Sequence, residues 1–308
     1  MCYNFHTRLS IMKRISRGDY IMMDVKKVLE KITNGLKVNL FEFDIDNEDD
    51  FLELKEYLMN KVRISKVHNI EEYNLTYYGA KNLNPKFVAK FNEQVAKINV
   101  PKKAAKPQFD VRRERITEWL AQFLLEQKYG CKFYDEADKK INLKTVEIDK
   151  HTDGIDVPGI WLDKDRIRFV VCEVKASEDK KIPCNSVQSL QEDIQKAVDN
   201  SDNRVSREIL EYMHGIRNVK MQDDMLIRIV DFLANLIAGE KEELTNNIMF
   251  FPFLLRNNDK IISEKNLDDY KTFSLERVKK ENVENILAIF GKSFSDFSNE
   301  VYEQAIGE

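Results

Sequence analysis

The stretch that decides the fold is His151-Thr-Asp-Gly-Ile-Asp156-Val-Pro-Gly-Ile-Trp161, followed by Asp163-Lys-Asp-Arg166 and Ile167-Arg-Phe-Val-Val-Cys-Glu173-Val-Lys175. It reads as a hairpin of two strands joined by a polar turn. In the second strand Phe169, Val171, Glu173 and Lys175 share one face, and Val170, Cys172 and Val174 share the other. Phe169 to Cys172 is apolar on both faces, the pattern of a central strand. Glu173 and Lys175 are therefore expected side by side at the end of a buried strand, with Asp156 across from them. Charges in such a place are costly unless they are paired or bound to a metal.

Two carboxylates on adjacent strands suit Mg²⁺, with Mn²⁺ as the alternative, because the ion keeps waters and substrate oxygens in its remaining positions. Asp156 and Glu173 are the candidate metal ligands, and the Val174 carbonyl offers one more oxygen. Lys175 would act on a metal-bound water and steady the charge that develops on a phosphorus centre. Gly154, two residues before Asp156, permits a sharp turn or a close backbone approach. An acid, any residue and then Lys is cheap here: Asp24/Lys26, Glu53/Lys55, Glu126/Lys128, Glu178/Lys180 and Asp269/Lys271 also match. Glu173/Lys175 differs by ending an apolar β-run and following Gly-Ile-Asp at hairpin distance. The plain alternative is a cross-strand salt bridge at a sheet end.

Around this hairpin the chain alternates helix and strand patterns. Val25, Val28, Leu29 and Ile32 recur at helical spacing and stop at Asn34-Gly35. Residues 38–43 alternate as a strand, and the acidic cluster Asp44, Asp46, Glu48, Asp49 and Asp50 suits the start of a helix through its dipole. Phe87, Phe91 and Val95 predict a further helix before Pro101. Residues 101–107 read as a linker, and 101–115 carry six cations that could follow a phosphate backbone or lie on a solvated helix start. Ile116, Trp119, Leu120, Phe123 and Leu124 stripe one face of a helix over 112–128, closed by Gly130. Helices are predicted over 186–200, 203–214 and 219–238 and from about 281 to the end. Residues 247–255 predict a buried strand, with Pro252 pointing to a bulge or an edge.

Composition bounds the function. The chain has 308 residues, 43% of them hydrophobic, enough to bury a real core. With 53 acidic against 49 basic residues the net charge is -4, which excludes a generally basic nucleic-acid coat but not a local basic cleft. Ten Gly and six Pro argue against a turn-dense β-sandwich. Four scattered Cys and four scattered His give no zinc spacing and no disulfide framework, as expected of a cytoplasmic chain. No apolar run is long enough to span a membrane, and residues 1–23 read as an unstructured arm.

Gly-Ile-Asp156, Glu173-Val-Lys175 and the following Ala-Ser resemble the PD-(D/E)xK nuclease core. The chain is more closely similar to the HamA/AbpA-type proteins of bacterial anti-phage defence, the Hachiman group, over roughly residues 105–256. The resemblance implies a restriction-endonuclease-like α/β core, a mixed sheet flanked by helices, within a nuclease domain at 101–308. Residues 24–100 would then be a smaller N-terminal α/β accessory region. It also implies DNA as substrate, Mg²⁺ as cofactor and a helicase subunit as partner. The family carries Arg and Glu early in its first helix, and here Glu114 and Glu118 are the candidates, with Glu118 preferred as support for the metal or its water. RecB-like nucleases carry a Gln on the helix after the Glu-x-Lys strand, a part Gln191 could take, although Gln195 stands where the Tyr would be. His151 could reach the same cleft, and Trp161 reads as packing. The rival readings are a catalytically silent subunit of the same fold and a stand-alone restriction endonuclease.

Overall fold

A computed structural model of the chain describes residues 25–72, 84–98, 100–106, 110–133, 154–163, 166–216, 224–239, 246–257 and 264–307. The expected arm at 1–23 and His151 lie outside these residues. The elements are β1 (Lys26–Thr33), β2 (Leu36–Glu42), α1 (Glu48–Glu72), α2 (Pro85–Ile98), α3 (Val111–Tyr129) and β3 (Cys131–Lys132). Then come β4 (Val157–Asp163), β5 (Arg166–Ser177), α4 (Ser186–Val198), α5 (Arg204–Ile216), α6 (Asp224–Ala238), β6 (Ile248–Arg256), β7 (Glu284–Ile289) and α7 (Phe294–Ile306).

Among the described residues seven strands form one mixed sheet in the order β1-β2-β7-β6-β5-β4-β3. The four central strands β2, β7, β6 and β5 are mutually parallel, while β1 and β4 run against their neighbours. The expectation of an α/β fold with a helix-flanked mixed sheet holds. The N-terminal region extends the same sheet, since β2 lies beside β7.

The sheet separates two apolar layers. On one side Phe41, Val170, Cys172, Val174, Phe251 and Phe253 pack with α1, α3 and α7. On the other, Val38, Phe169, Val171, Phe250 and Leu254 pack with α4, α5 and α6. Asp110 caps α3 by accepting from the Arg113 amide, and Gly130 closes it in the left-handed conformation.

Three predicted elements differ from the structure. Residues 26–33 form a strand, not a helix. Asn34 and Gly35 both have positive φ (53° and 74°), the geometry of a two-residue hairpin turn. A register shift between Lys27 and Leu29 interrupts the strand. That shift displaces the apolar side chains from strict alternation and mimics a helical period. Residues 284–289, expected in a C-terminal helix, are β7, because a strand buried between two parallel neighbours loses its polar face. Pro252, expected at an edge or bulge, sits in β6 between β5 and β7. The β6–β7 register is the same on both sides of it, Phe250 opposite Val283 and Phe253 opposite Ile286. The Tyr270 hydroxyl, with its one hydrogen, lies 3.0 and 2.9 Å from the Pro252 and Ile286 carbonyl oxygens and bridges the two strands there.

Candidate functional site

The site grows from the unequal lengths of β4 and β5. Their pairing reaches Val157 opposite Cys172, so Glu173 to Ser177 run on past the start of β4. The next backbone donor of β5 would have no strand partner on that side. Asp156 supplies one: its Oδ2 accepts from the Val174 amide at 2.7 Å. This carboxylate stands in for a strand carbonyl, and the register brings Asp156 alongside Glu173. Gly154 just before it has φ 143°, a conformation side chains disfavour.

Alternation sends Glu173 and Lys175 to the α4–α5 side of the sheet, as the sequence pattern predicts. Glu173 is 1% exposed. Lys175 is half-buried and its Nζ lies 2.8 Å from Asp193 Oδ2 on α4. Lys196 holds the other Asp193 oxygen at 3.1 Å. Arg204, the first residue of α5, places Nη2 at 2.9 Å from Glu173 Oε1. Oε1 nonetheless has no hydrogen-bond partner. The contact is a charge pairing without hydrogen-bond geometry, and Nη2 donates to the Gly154 carbonyl.

The electrostatics follow from this crowding. Burial first, and the neighbouring Asp156 charge second, push the Glu173 carboxyl well above its ordinary range, against the pull of Arg204 and Lys175. For Lys175, burial works against the charged form. It is outweighed by the hydrogen bond to Asp193 and the charges of Asp156, Asp193 and Glu173, so its pKa is raised. Asp193 is likewise pulled down by Lys175 and Lys196 in spite of burial.

Glu118 lies elsewhere. It is half-buried on α3, the helix covering the Cys172 and Val174 side of the sheet. Its charge is felt at Cys172 and Tyr302. The structure thus gathers Asp156, Glu173 and Lys175 and sets Glu118 on the opposite face. Gln191 accepts from the Ser274 amide at 3.1 Å, and Gln195 accepts from Glu276 at 2.9 Å, so both tie α4 to a loop. Trp161 packs edge-on to Phe251 and under the Arg168 guanidinium.

Part of the basic run at 101–115 is folded inward, while Lys102, Lys103 and Lys106 are exposed. Arg112 and Arg115 are buried, and Arg112 donates to the Pro101 carbonyl at 2.7 Å and lies over Tyr302. Lys103 pairs with Glu303 at 3.0 Å.

Asp193 and Arg204 were not singled out in the sequence. Asp193 had a faint signal, since the helix after a Glu-x-Lys strand is the place to look for a site residue. Arg204 had none. Its position depends on a turn in which Asn200, Asp202 and Asn203 all have positive φ. Asn200 Oδ1 then accepts from Val205 and Ser206 at 2.9 and 3.2 Å and starts α5.

A divalent cation fits the donor chemistry. Asp156 and Glu173 are hard oxygen ligands, and the buried Glu173 Oε1 has no hydrogen-bond donor. Among the described residues no group of three or more His, Cys, Asp or Glu side chains is arranged for a metal. A pair of carboxylates is the donor set Mg²⁺ uses when waters and phosphate complete its shell. The three described cysteines, Cys131, Cys172 and Cys184, are buried free thiols. Among the described residues no helix is long and apolar enough to cross a membrane. Compared with known protein families, with curated proteins and with solved structures, the chain finds no match.

Proposed function

We propose that the chain is a metal-dependent DNA nuclease of the PD-(D/E)xK type. On this reading it is the effector of a bacterial anti-phage defence system, acting with a helicase partner. The observation that carries the proposal is the meeting of Asp156 and Glu173 at the end of β5, with Lys175 two residues on from Glu173 on the same face. Asp156, Glu173 and the Val174 carbonyl would hold Mg²⁺ or Mn²⁺, which supplies an activated water and neutralises phosphate charge when bound. Asp156 is oriented by the Val174 amide. Lys175 is kept protonated in this state and presents an ammonium to a phosphate oxygen or to the attacking water. Glu118 would act at longer range, from the other face of the sheet. Support for a helicase partner comes from the chain's charge. A net -4, with Arg112 and Arg115 folded inward, suits DNA delivered by another subunit better than DNA captured alone.

The test is cleavage of DNA by the purified protein, alone and with its helicase, in Mg²⁺. The double variant Glu173→Ala, Lys175→Ala should abolish cleavage while keeping the fold. Cleavage unchanged in that variant would overturn the site assignment. One observation favours a second reading, a catalytically silent subunit of the same fold. Lys175 is bonded to Asp193, and Glu173 faces Arg204, so each site charge already has a protein partner. Absence of cleavage by wild type with its helicase, on every DNA form tried, would select that reading.

A further inference from the structure

Arg204 touches the site at three points, and it does so from outside the hairpin that carries the carboxylates. Nη2 donates to the Gly154 carbonyl, in the segment that leads into Asp156. The same nitrogen stands 2.9 Å from Glu173 Oε1. Nη1 reaches the Asp193 carbonyl at 3.3 Å, on the residue whose carboxylate holds Lys175. One guanidinium therefore links the backbone before Asp156, the side chain of Glu173 and the anchor of Lys175. A guanidinium can do this because its donors diverge in a rigid plane, whereas an ammonium is a point charge on a flexible stem.

The chain builds a dedicated support for this one residue. The Asn200-to-Asn203 turn carries three positive-φ residues, and Asn200 caps the helix that begins at Arg204. Such conformations cost energy and persist where the surroundings over-determine them. Arg204 is itself mostly buried, its side chain 16% exposed.

We propose that Arg204 is a positioning residue that sets the spacing of Asp156 and Glu173 for a divalent cation by bridging the Gly154 carbonyl, the Glu173 carboxylate and the Asp193 carbonyl. This rests on the metal-site reading above. Asp193 has a separate duty, holding Lys175 through its side chain while only its backbone serves Arg204.

The test is calorimetric titration of the full chain with Mn²⁺, which reads binding without needing turnover. Groups that hold a metal ligand in place typically weaken affinity about 10–100-fold when removed, and Arg204→Lys, which keeps the charge but loses the fork, should fall in that range. Arg204→Gln, as a second variant, should fall at least as far. Circular dichroism and melting of each variant establish that it is folded. Asp269→Asn, in the buried pair with Arg256 outside the site, should leave Mn²⁺ affinity unchanged. Arg204→Lys binding Mn²⁺ like wild type overturns the proposal and leaves the metal site standing. Tighter binding also overturns it, making Arg204 an occupant of the cation's place. An Asp269→Asn loss equal to that of Arg204→Lys overturns it too, since any disturbance on this side of the sheet would then weaken the site. A wild-type chain that binds no Mn²⁺ overturns the metal reading, and this proposal with it.

Discussion

Two buried acid–arginine pairs lie on the same side of the sheet, and they are built for different duties. Asp269 and Arg256 are each about 1% exposed at the side chain and lie 3.7 Å apart. Asp269 also accepts from the Cys184 amide at 2.7 Å, and Arg256 donates to the Asp179 and Lys181 carbonyls. Those partners are all in the loop that joins β5 to α4, so the pair closes that loop over the end of β6. Glu173 and Arg204 also meet in a buried place, but a second acid, Asp156, stands beside Glu173, and an ammonium, Lys175, stands two residues away. Each pair leaves one buried carboxylate oxygen, Asp269 Oδ2 or Glu173 Oε1, without a hydrogen-bond partner. What distinguishes the second is the like charge of Asp156 beside Glu173, the feature on which the proposed cation site rests.

The contrast can be broken first at the closed pair. Arg256→Met leaves Asp269 buried without its cation, and breaking such a pair costs about 3–5 kcal/mol, to be read from urea denaturation. Mn²⁺ affinity should not change in that variant provided it is still folded. Next in size is ligand stabilisation: Mn²⁺ at 100 times its dissociation constant should stabilise wild type by about 2.7 kcal/mol, seen as a higher melting midpoint. Glu173→Gln should lose most of that rise, while Asp269→Asn should keep it. Tyr270→Phe removes the hydroxyl shared by the Pro252 and Ile286 carbonyls and should cost about 1–3 kcal/mol, with no effect on metal. Smallest of all is the stability effect of Glu173→Gln itself. The acid's burial and its repulsion by Asp156 offset its pairing with Arg204, so the change should stay below about 1 kcal/mol. A loss as large as that of Arg256→Met would make Glu173 a structural acid like Asp269.

How much of this was written in the sequence depended on whether the local pattern was enough. β5 was legible because an apolar run from Phe169 to Cys172 ended in charge. The acidic start of α1 and the apolar stripe of α3 were legible for the same reason, since each is a local rule about a helix. β1 was not, because its register shift disguised the strand period, and Asn34-Gly35 serves equally as a helix stop and a hairpin turn. β7 was not, because Ile286 to Ile289 is apolar whichever way it is coiled, and its strand character comes from β2 and β6 on either side. Within the site, Asp156, Glu173 and Lys175 followed from spacing along a hairpin. Asp193 and Arg204 required knowing how α4 turns into α5, which the unusual φ angles at 200–203 determine. Within the basic run, composition counted the charges of Arg112 and Arg115, but only packing reveals that these two are buried.

The position of β2 has a consequence for synthesis. Its parallel partner is β7, and Lys37 faces Glu284 across a separation of 247 residues. During translation the β1–β2 hairpin leaves the ribosome well before β7, and until β7 appears one edge of β2 lacks its partner. At ordinary elongation rates that wait is on the order of tens of seconds. Throughout it, β2 offers Val38, Leu40 and Phe41, all buried in the finished protein, on an open strand edge. β2 is therefore open to mispairing over that interval, and β7 ends the hazard by supplying the missing strand.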